Sequence, residues 1–370
     1  MSSIVKRPNG RWQATYKGPD RRERSRSFDR KIDADNWIKT QGADVVRGQW
    51  ADPQLGKITF GEWATKWQAT TVHLRPTTRA RDASYLKTHV LPRFGRVPLA
   101  AISHTDVRTW VADLVAAGKA PATVGKAFQI GGKVMRSAVE AGMIPSSPFA
   151  NVKAPKIERE ERRFLSPIEI AHLADAIDPR YRVLVLIGGY GGLRIGELAG
   201  LRRSRVDLVR GTIDVAEIVV EVSGHLSFGP PKTRAGRRTV SLPRPVVEEL
   251  AAHLAASDGE FVFPSPLGGA LRVPAFRRRV WAPAVIAAGL EGVTPHALPH
   301  AAVAIWIAAG ASPTEIAARA GHTSVVTVLD RYGHLLKRHD ERLRDELDTM
   351  YVAPIAAPKA TISPLRKALG

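Results

Sequence analysis

The sequence predicts a multidomain protein, mainly α-helical with α+β parts, on three observations. The chain has 370 residues, which suggests roughly two or three domains at the usual length of about 100–200 residues each. Two stretches rich in proline, glycine and charged residues, near positions 50 and 155, interrupt the hydrophobic pattern. The pattern itself changes along the chain from strand-like alternation to helical spacing and then to a mixture of the two. We expect domains over residues 1–55, 60–150 and 160–350, with a tail over residues 351–370.

The first domain is predicted to be a small sheet backed by one helix. Apolar residues alternate in RWQATY within Ile4–Gly18, and a turn signal, Gly-Pro-Asp, leads into the strand-like Arg21–Phe28. Lys31–Arg47 then carries apolar residues at helical spacing, with acidic residues at its amino end, where the helix dipole favours them. A sheet of this kind can insert a basic face into the major groove of DNA. A packing or oligomerisation module is the alternative interpretation.

The second domain is predicted to contain four helices. Ser103 and Pro121 are helix-start signals, and glycines at 95, 118 and 142 are helix-stop signals. Basic residues recur on the polar faces of these helices. As a group they indicate a surface that holds a phosphate backbone.

The third domain mixes helices with strands, and helices dominate. Ser166-Pro167-Ile168-Glu169 is a capped helix start, whereas Thr212–Val222 and Arg238–Leu242 alternate like strands. The chain from Val273 to Tyr351 is mostly helical in pattern, and Leu335–Met350 predicts a charged helix near its end. This combination predicts an α/β domain of about two hundred residues.

The charge of the chain points to a polyanionic partner. Fifty-five Lys and Arg residues oppose 35 Asp and Glu residues, a net charge of +20. The excess is +6 in residues 1–60, +8 in residues 61–155 and +6 in residues 156–370. Since each successive unit is basic, nucleic acid is the expected partner. The residues expected at DNA are Arg11, Arg21, Arg22 and Arg24 in the first domain, Arg79, Arg81, Lys126 and Lys133 in the second, and Arg234 in the third.

Composition also excludes several classes of protein. The chain has no cysteine, which excludes disulfides, thiolate metal sites and cysteine nucleophiles. Its apolar stretches are shorter than the roughly 20 residues that a membrane-spanning helix needs. The amino-terminal MSSIVKRPNG lacks the apolar core of a secretory signal. We therefore expect a cytoplasmic location and no membrane partner.

Four motifs in the third domain carry a resemblance to a known family. They are GYGGLRIGELAGLRRSRVD with Arg194, GPPKTRAGRRTV with Lys232, TPHALPH with His296, and the pair AGH and LDRYGHL with His322 and Tyr332. In order and spacing they resemble the tyrosine recombinase family of phage integrases, of the mycobacteriophage and actinophage type. The resemblance implies an arm-type DNA-binding domain, a helical SAM-like core-binding domain and an α/β catalytic domain.

The resemblance implies a role for each of these five residues. Tyr332 would attack the scissile phosphate and form a 3′-phosphotyrosyl link, while Arg194 would stabilise the charge that develops on phosphorus. Lys232 would donate a proton to the leaving 5′ oxygen, with Arg234, Arg237 and Arg238 as alternatives for this role. His296 would assist proton transfer at the tyrosine, and His322 would hydrogen-bond the phosphate.

The resemblance also implies a reaction and its partners. It implies a site-specific recombinase that integrates phage DNA into the host chromosome without a cofactor. The expected partners are double-stranded attachment-site DNA, three further copies of the chain in a homotetramer, an excision factor and a host DNA-bending protein. The expected location is the bacterial cytoplasm, at the nucleoid.

One position departs from the family pattern. The family has an arginine three residues after the histidine, in HxLRH, and this chain has Pro299 there. Proline carries no charge and no donor, so its presence would cost about two to three orders of magnitude in rate if nothing replaced the arginine. The chain is then an impaired integrase-like DNA-binding protein, or another arginine such as Arg272, Arg277 or Arg319 replaces the missing one, or the proline is an engineered or erroneous change.

A zinc site is the competing interpretation of the histidines. His296 and His300 are four residues apart, a spacing that puts two imidazoles on one face of a helix, and His322 could be a third ligand. No carboxylate accompanies the pair, and Pro299 between them disfavours a regular helix. We expect no metal.

Overall fold

The computed structural model describes residues 2–47, 50, 52, 54–156, 163–336 and 339–356. The chain divides into two compact units, residues 1–160 and 161–370. No helix in the described ranges is both long and apolar enough to cross a membrane.

The first unit begins with a three-stranded antiparallel sheet and a helix. Its elements are β1 (Ser2–Lys6), β2 (Trp12–Lys17), β3 (Glu23–Phe28) and α1 (Lys31–Val46). The strands pair in chain order, with β2 in the centre. Ala14, Tyr16 and Ala34 are buried where the sheet and α1 meet. The predicted sheet and helix are both present, and the helix ends one residue before the predicted boundary.

Helices make up the rest of the first unit. They are α2 (Phe60–Thr70), α3 (Pro76–Tyr85), α4 (Leu91–Phe94), α5 (His104–Ala116) and α6 (Pro121–Glu140). A π-helical segment, Leu86–Val90, joins α3 to α4. The widened turn fits Pro92, which cannot donate the backbone bond that a regular helix requires there. Counting α3, the π segment and α4 as one bent helix, the prediction of four helices is confirmed.

The second unit contains ten helices and five strands within the described residues. They are α7 (Pro167–Ala176), α8 (Arg182–Gly191), α9 (Ile195–Ala199), β4 (Val206–Asp207), β5 (Thr212–Val215), β6 (Ile218–Val222), β7 (His225–Gly229), β8 (Arg238–Ser241), α10 (Arg244–Ala255), α11 (Val273–Phe276), α12 (Ala282–Ala287), α13 (Ala297–Ala308), α14 (Pro313–Ala320), α15 (Val326–Leu336) and α16 (His339–Ala356). Strands β4, β5 and β8 form one antiparallel sheet, and β6 with β7 forms a hairpin. Helix α8 is buried at eight of its ten positions, because its sequence VLVLIGG is apolar on every face. Helices α9 and α13 pack against it, and α14 and α15 pack in turn on α13.

Three local predictions differ from the structure. The segment Thr212–Val222 is two strands, β5 and β6, rather than one. The strand β7 is an additional one that the sequence does not predict, because the alternation in HLSFG extends over only two apolar residues. The predicted helix Leu335–Met350 corresponds to the end of α15 and to α16, with residues 337 and 338 outside the described residues, and α16 continues to Ala356. Residues 357–370 of the expected tail lie outside the described residues.

The prediction that Pro299 disturbs the helix between the two histidines is wrong. Helix α13 is regular from Ala297 and holds Pro299 as its third residue. The first four N–H groups of any α-helix lack an intrahelical acceptor, so a proline in the first turn removes no hydrogen bond. His296 and His300 therefore lie one helical turn apart.

Candidate active site

A small cavity in the second unit gathers four of the five residues predicted to be catalytic. Its volume is about 170 Å³. Its lining comprises Gly192, Arg194, His296, Pro299, His300, Val303, Ala320, His322, Arg331 and Tyr332. Lys232, the fifth residue, is not part of this lining. The cavity thus combines two arginines, three histidines and one tyrosine contributed by α9, α13, α14 and α15 and the residues that flank them.

Tyr332 is buried at the wall of this cavity. Its side chain lies on α15 and is 1% exposed. The Oη atom lies 2.5 Å from Nδ1 of His300 on α13, and the ring packs 5.5 Å from that of Phe164. The nucleophile predicted from the sequence is therefore hydrogen-bonded to a nitrogen that can exchange a proton with it.

His300 also lines the cavity and bonds Tyr332, although the sequence suggested it only as a zinc ligand. The feature that could have identified His300 is its four-residue spacing from His296, since residues four apart on a helix share a face. With His296 at the amino end of α13, a regular first turn brings His300 to the same cavity. The sequence did not lead to that placement, because Pro299 was expected to interrupt the helix between the two histidines.

Arg194 is fixed at the amino end of α9 by two side-chain hydrogen bonds. Its Nη1 donates to Oε1 of Glu197 at 3.0 Å, and its Nη2 donates to the carbonyl oxygen of Ala320 at 2.9 Å. The side chain remains 41% exposed. Since a guanidinium has five N–H donors, Arg194 keeps donors for an anion while its orientation is set by the protein.

A buried ion pair supports Arg194 from behind. Glu197 is 2% exposed and Arg238, on β8, is 5% exposed. Both oxygens of Glu197 accept from Arg238, each at 3.1 Å, and Arg238 also donates to the carbonyl oxygen of Arg319 at 2.6 Å. Glu197 follows Arg194 by three residues in GLRIGEL, whereas the sequence suggested Arg238 only as an alternative to Lys232.

His322 and His296 are both biased toward the neutral form. Burial lowers the pKa of each imidazole below its ordinary value. The nearby charges of Arg194 and Arg331 lower the pKa of His322 further, and those of Arg277 and Arg194 act likewise on His296. Nδ1 of His322 is buried and has no hydrogen-bond partner within the described chain.

Lys232 lies on the exposed loop between β7 and β8, followed by a helical turn that contains Arg234. The tip of the β6–β7 hairpin is Ser223-Gly224, several residues earlier. Both basic side chains are exposed. The catalytic role of Lys232 and the DNA contact of Arg234 stay predictions.

The three arginines considered as replacements at position 299 differ in their surroundings. Arg319 donates to the carbonyl oxygen of Ser241 at 2.9 Å and stacks on Trp306 with 4.7 Å to the ring centre. Arg272 pairs with Glu221 at 3.0 Å. Arg277 is exposed and acts on His296 through its charge, but it does not line the cavity.

The predicted DNA-binding arginines of the first domain fall into two groups. Arg24 is held by Asp20 and Asp52 and is only 13% exposed, so its charge is already neutralised inside the protein. The others, Arg11, Arg21 and Arg22, are exposed, and Arg11 pairs with Asp29. Exposed arginines are the ones available to a phosphate backbone.

In the helical domain, three of the predicted basic residues surround one buried carboxylate. Asp82 on α3 is bonded to Arg81 at 2.9 Å and lies 3.6 Å from Lys133 on α6. Burial, and then the charge of Arg81, lowers the pKa of Lys126 on the same helix as Lys133. Arg79 is exposed beside this cluster. Three cations around one carboxylate leave a net positive surface on α3 and α6.

Within the described ranges, no group of three histidine, aspartate or glutamate side chains is arranged to hold a metal ion. The three histidines of the cavity are included in that statement, because all lie in described segments.

Comparison with known protein families assigns all three parts of the chain. The phage integrase family profile matches residues 163–339. The profile of the N-terminal domain of phage integrases matches residues 2–47. That of their N-terminal SAM-like domain matches residues 59–115. The predicted fold class, a small sheet-and-helix module followed by a SAM-like helical domain and an α/β catalytic domain, is confirmed.

Individual proteins that are similar to this chain are integrases as well. The prophage phiRv2 integrase of Mycobacterium tuberculosis is 29% identical over 348 residues, covering 90% of this chain and 92% of that protein. The Tn1549 transposon integrase, solved in complex with transposon right end DNA, shares the fold with a TM-score of 0.66 at 19% identity, covering 78% of this chain and all of that one. The lambda integrase, solved as a tetramer bound to a Holliday junction, matches with a TM-score of 0.56 at 18% identity over 87% of this chain and 92% of its own. The profiles, the relatives and a cavity built around Arg194 and Tyr332 together show that the chain belongs to the phage integrase family of tyrosine recombinases and is a site-specific DNA recombinase.

Proposed function

We propose that this recombinase is a phage or prophage integrase, which joins phage DNA to the host chromosome at attachment sites. The observation that carries the proposal is the cavity in which Tyr332 meets Arg194, His300 and His322. A tyrosine beside a fixed guanidinium and imidazoles suits attack on a phosphodiester, because the cation offsets the charge of the phosphate while the imidazoles exchange protons.

The chemical step proposed for Tyr332 is a transesterification. Its Oη forms a bond to the scissile phosphorus, the bond from phosphorus to the 5′ oxygen breaks, and the 3′ phosphate stays on the tyrosine. Lys232 gives a proton to the departing 5′ oxygen. Arg194 and His322 hold the non-bridging oxygens, on which charge accumulates. Attack by a 5′ hydroxyl of a second strand reverses the step and joins the new strand without any external source of energy.

His300 is proposed to take the proton that Tyr332 loses. The separation of 2.5 Å between Nδ1 and Oη supports this assignment, because a general base has to lie within hydrogen-bond reach of the proton that it accepts. His296, one turn earlier on α13, lines the same cavity. Its role in proton transfer at the tyrosine is kept as a second proposal, to be separated from that of His300 by mutation.

The partners proposed for the reaction are DNA and further copies of the chain. A homotetramer on two attachment sites is the proposed assembly, with an excision factor and a host DNA-bending protein as accessory partners. The exposed arginines of the first domain and the α3–α6 basic surface would hold duplex DNA. The proposed location is the bacterial cytoplasm, at the nucleoid. The alternative is a catalytically impaired integrase-like protein that only binds DNA, a possibility that Pro299 raises.

Covalent capture of DNA distinguishes the two functions. The full-length protein is incubated with a pool of nicked duplexes of randomised core sequence, and the adducts that survive denaturing detergent are sequenced. The wild type is expected to form adducts on a recurrent sequence, and Tyr332→Phe none. Tyr351→Phe, at an exposed tyrosine outside the cavity, is the matched control and should retain them. Binding of duplex DNA without any adduct in the wild type would support the non-catalytic alternative.

The duplex recovered in that experiment then tests the two histidines. His300→Ala is expected to slow adduct formation by about 10²–10⁴-fold, the usual contribution of general acid–base catalysis. Because the variant lacks the proton acceptor, raising the pH should recover part of its rate and should have less effect on the wild type. If His296→Ala shows the larger loss and the stronger recovery at high pH, the proton goes to His296 instead.

A further inference from the structure

The cavity contains a second arginine that the sequence comparison did not single out. We propose that Arg331 supplies the scissile phosphate with the positive charge that Pro299 cannot provide. The proposal rests on the proposed function, since it concerns the transition state of the same cleavage step. Attack on a phosphodiester puts additional negative charge on the non-bridging oxygens. The one fixed guanidinium, that of Arg194, offsets only part of that charge.

The position of Arg331 favours this role. It directly precedes the nucleophile on α15 and lines the cavity together with Arg194, Pro299 and Tyr332. It approaches the cavity from the side of the nucleophile, whereas Arg194 approaches from α9. The charge of Arg331 also acts on the imidazole of His322, whose pKa it lowers. Its field therefore reaches the place where a phosphate oxygen would lie.

Arg331 is also available to a ligand. Its side chain is exposed, and it makes no hydrogen bond or ion pair with any other residue that the structure describes. Arg238 is buried against Glu197, and Arg319 is engaged by Ser241 and Trp306. Using either of those would require an internal contact to break, while Arg331 could bind an anion without any such cost.

A proline at position 299 fits this arrangement. Pro299 and Arg331 line the same small cavity, so an arginine at 299 would put a third guanidinium there beside Arg194 and Arg331. Like charges at close range repel one another. The positions are therefore expected to be alternatives: one of them carries the second phosphate-binding arginine, and in this chain it is 331.

A double-mutant cycle on the recovered nicked duplex tests the proposal. Four full-length proteins are compared: wild type, Arg331→Ala, Pro299→Arg and the double variant. The rate of adduct formation is measured at saturating protein, and duplex affinity is measured separately. Arg331→Ala is expected to lower the rate by about 10²–10³-fold, the loss typical of one transition-state donor, with affinity changed less than about three-fold. Pro299→Arg alone should not raise the rate, and the double variant should regain at least ten-fold over Arg331→Ala.

Two further variants make the outcome interpretable. Arg331→Lys keeps the charge but loses the planar pair of donors, so an intermediate rate is expected. Arg344→Ala removes an exposed arginine from α16 and should leave the rate unchanged. The proposal is overturned if Arg331→Ala cleaves within three-fold of the wild type, or if its loss of rate is fully explained by weaker duplex binding. Absence of adduct from the wild type would instead refute the proposed function itself.

Discussion

Replacing Glu197 by glutamine should destabilise the catalytic domain by about 3 kcal/mol or more. Glu197 is 2% exposed and accepts four hydrogen bonds: two from Arg238 at 3.1 Å, one from the Arg194 side chain at 3.0 Å and one from the Arg194 backbone at 2.8 Å. Removing one member of a buried ion pair costs about 3–5 kcal/mol, since the other charge is left without compensation. Glutamine keeps the shape and one acceptor, which favours the lower end of that range.

Hydrogen exchange of the full-length protein measures this loss where it occurs. Amides of α8, α9 and β8 are followed by mass spectrometry, because a multidomain chain need not unfold in a single step. A loss of 3 kcal/mol corresponds to roughly a hundred-fold lower protection, at 1.4 kcal/mol per factor of ten. Cleavage should fall as well, since Arg194 loses the carboxylate that orients it.

The matched control is an ion pair on the surface. Arg244 and Glu248 on α10 lie 3.0 Å apart, but their side chains are 91% and 64% exposed. Glu248→Gln should change protection in α10 by no more than the few tenths of a kcal/mol that such pairs contribute. A cost below about 1 kcal/mol for Glu197→Gln would refute the argument, because it would mean that Arg238 finds water or another partner when its carboxylate is removed.

Two other predictions follow from the same site. Gly192 has φ +70°, and a Cβ there would lie 2.6 Å from the ring of Trp306; Gly192→Ala should therefore lower the melting temperature, whereas Gly118→Ala, with φ +70° but open space around it, should lower it less, and equal losses would contradict the steric part of the argument. The lowered pKa of His322 means that the unfolded chain binds a proton there more readily than the native protein, so the free energy of unfolding should fall as pH drops below about 6.5, the ordinary histidine value. Urea titrations between pH 5.5 and 7.5 should show a shallower dependence in His322→Asn, and an unchanged slope would contradict the assignment.

The sequence alone determined the class of this protein and most of its elements. Periodicity and turn residues located the first sheet, α1 and the four-helix segment, because those features depend on which local residues alternate or repeat. Capping also depends on local residues: Ser103 with Asp106 and Ser166 with Glu169 form reciprocal caps where the sequence predicted helix starts. Short segments such as β7, in which the alternation extends over only two apolar residues, could not be predicted in this way.

The residues of the candidate site could be named from the sequence, but the contacts between them could not. Continuous sequence motifs contain Arg194, Tyr332 and the two predicted histidines, so these residues could be identified from the sequence. Which imidazole touches Tyr332 depends on how α13 packs against α15, and that packing gives the hydrogen bond to His300 rather than to His296, the histidine that the sequence associated with the tyrosine.

Only the tertiary structure could show which residues surround Tyr332 and Arg194. Arg238 is 41 positions from its partner Glu197 in the chain, and Arg331 gains meaning only from a cavity that also holds Arg194 and Pro299. Such pairings arise because distant segments bury their apolar faces together and thereby fix which charges meet. The sequence determined which residues this recombinase possesses that could carry its chemistry, and the packing of α8, α9, α13 and α15 decided which of them line one cavity.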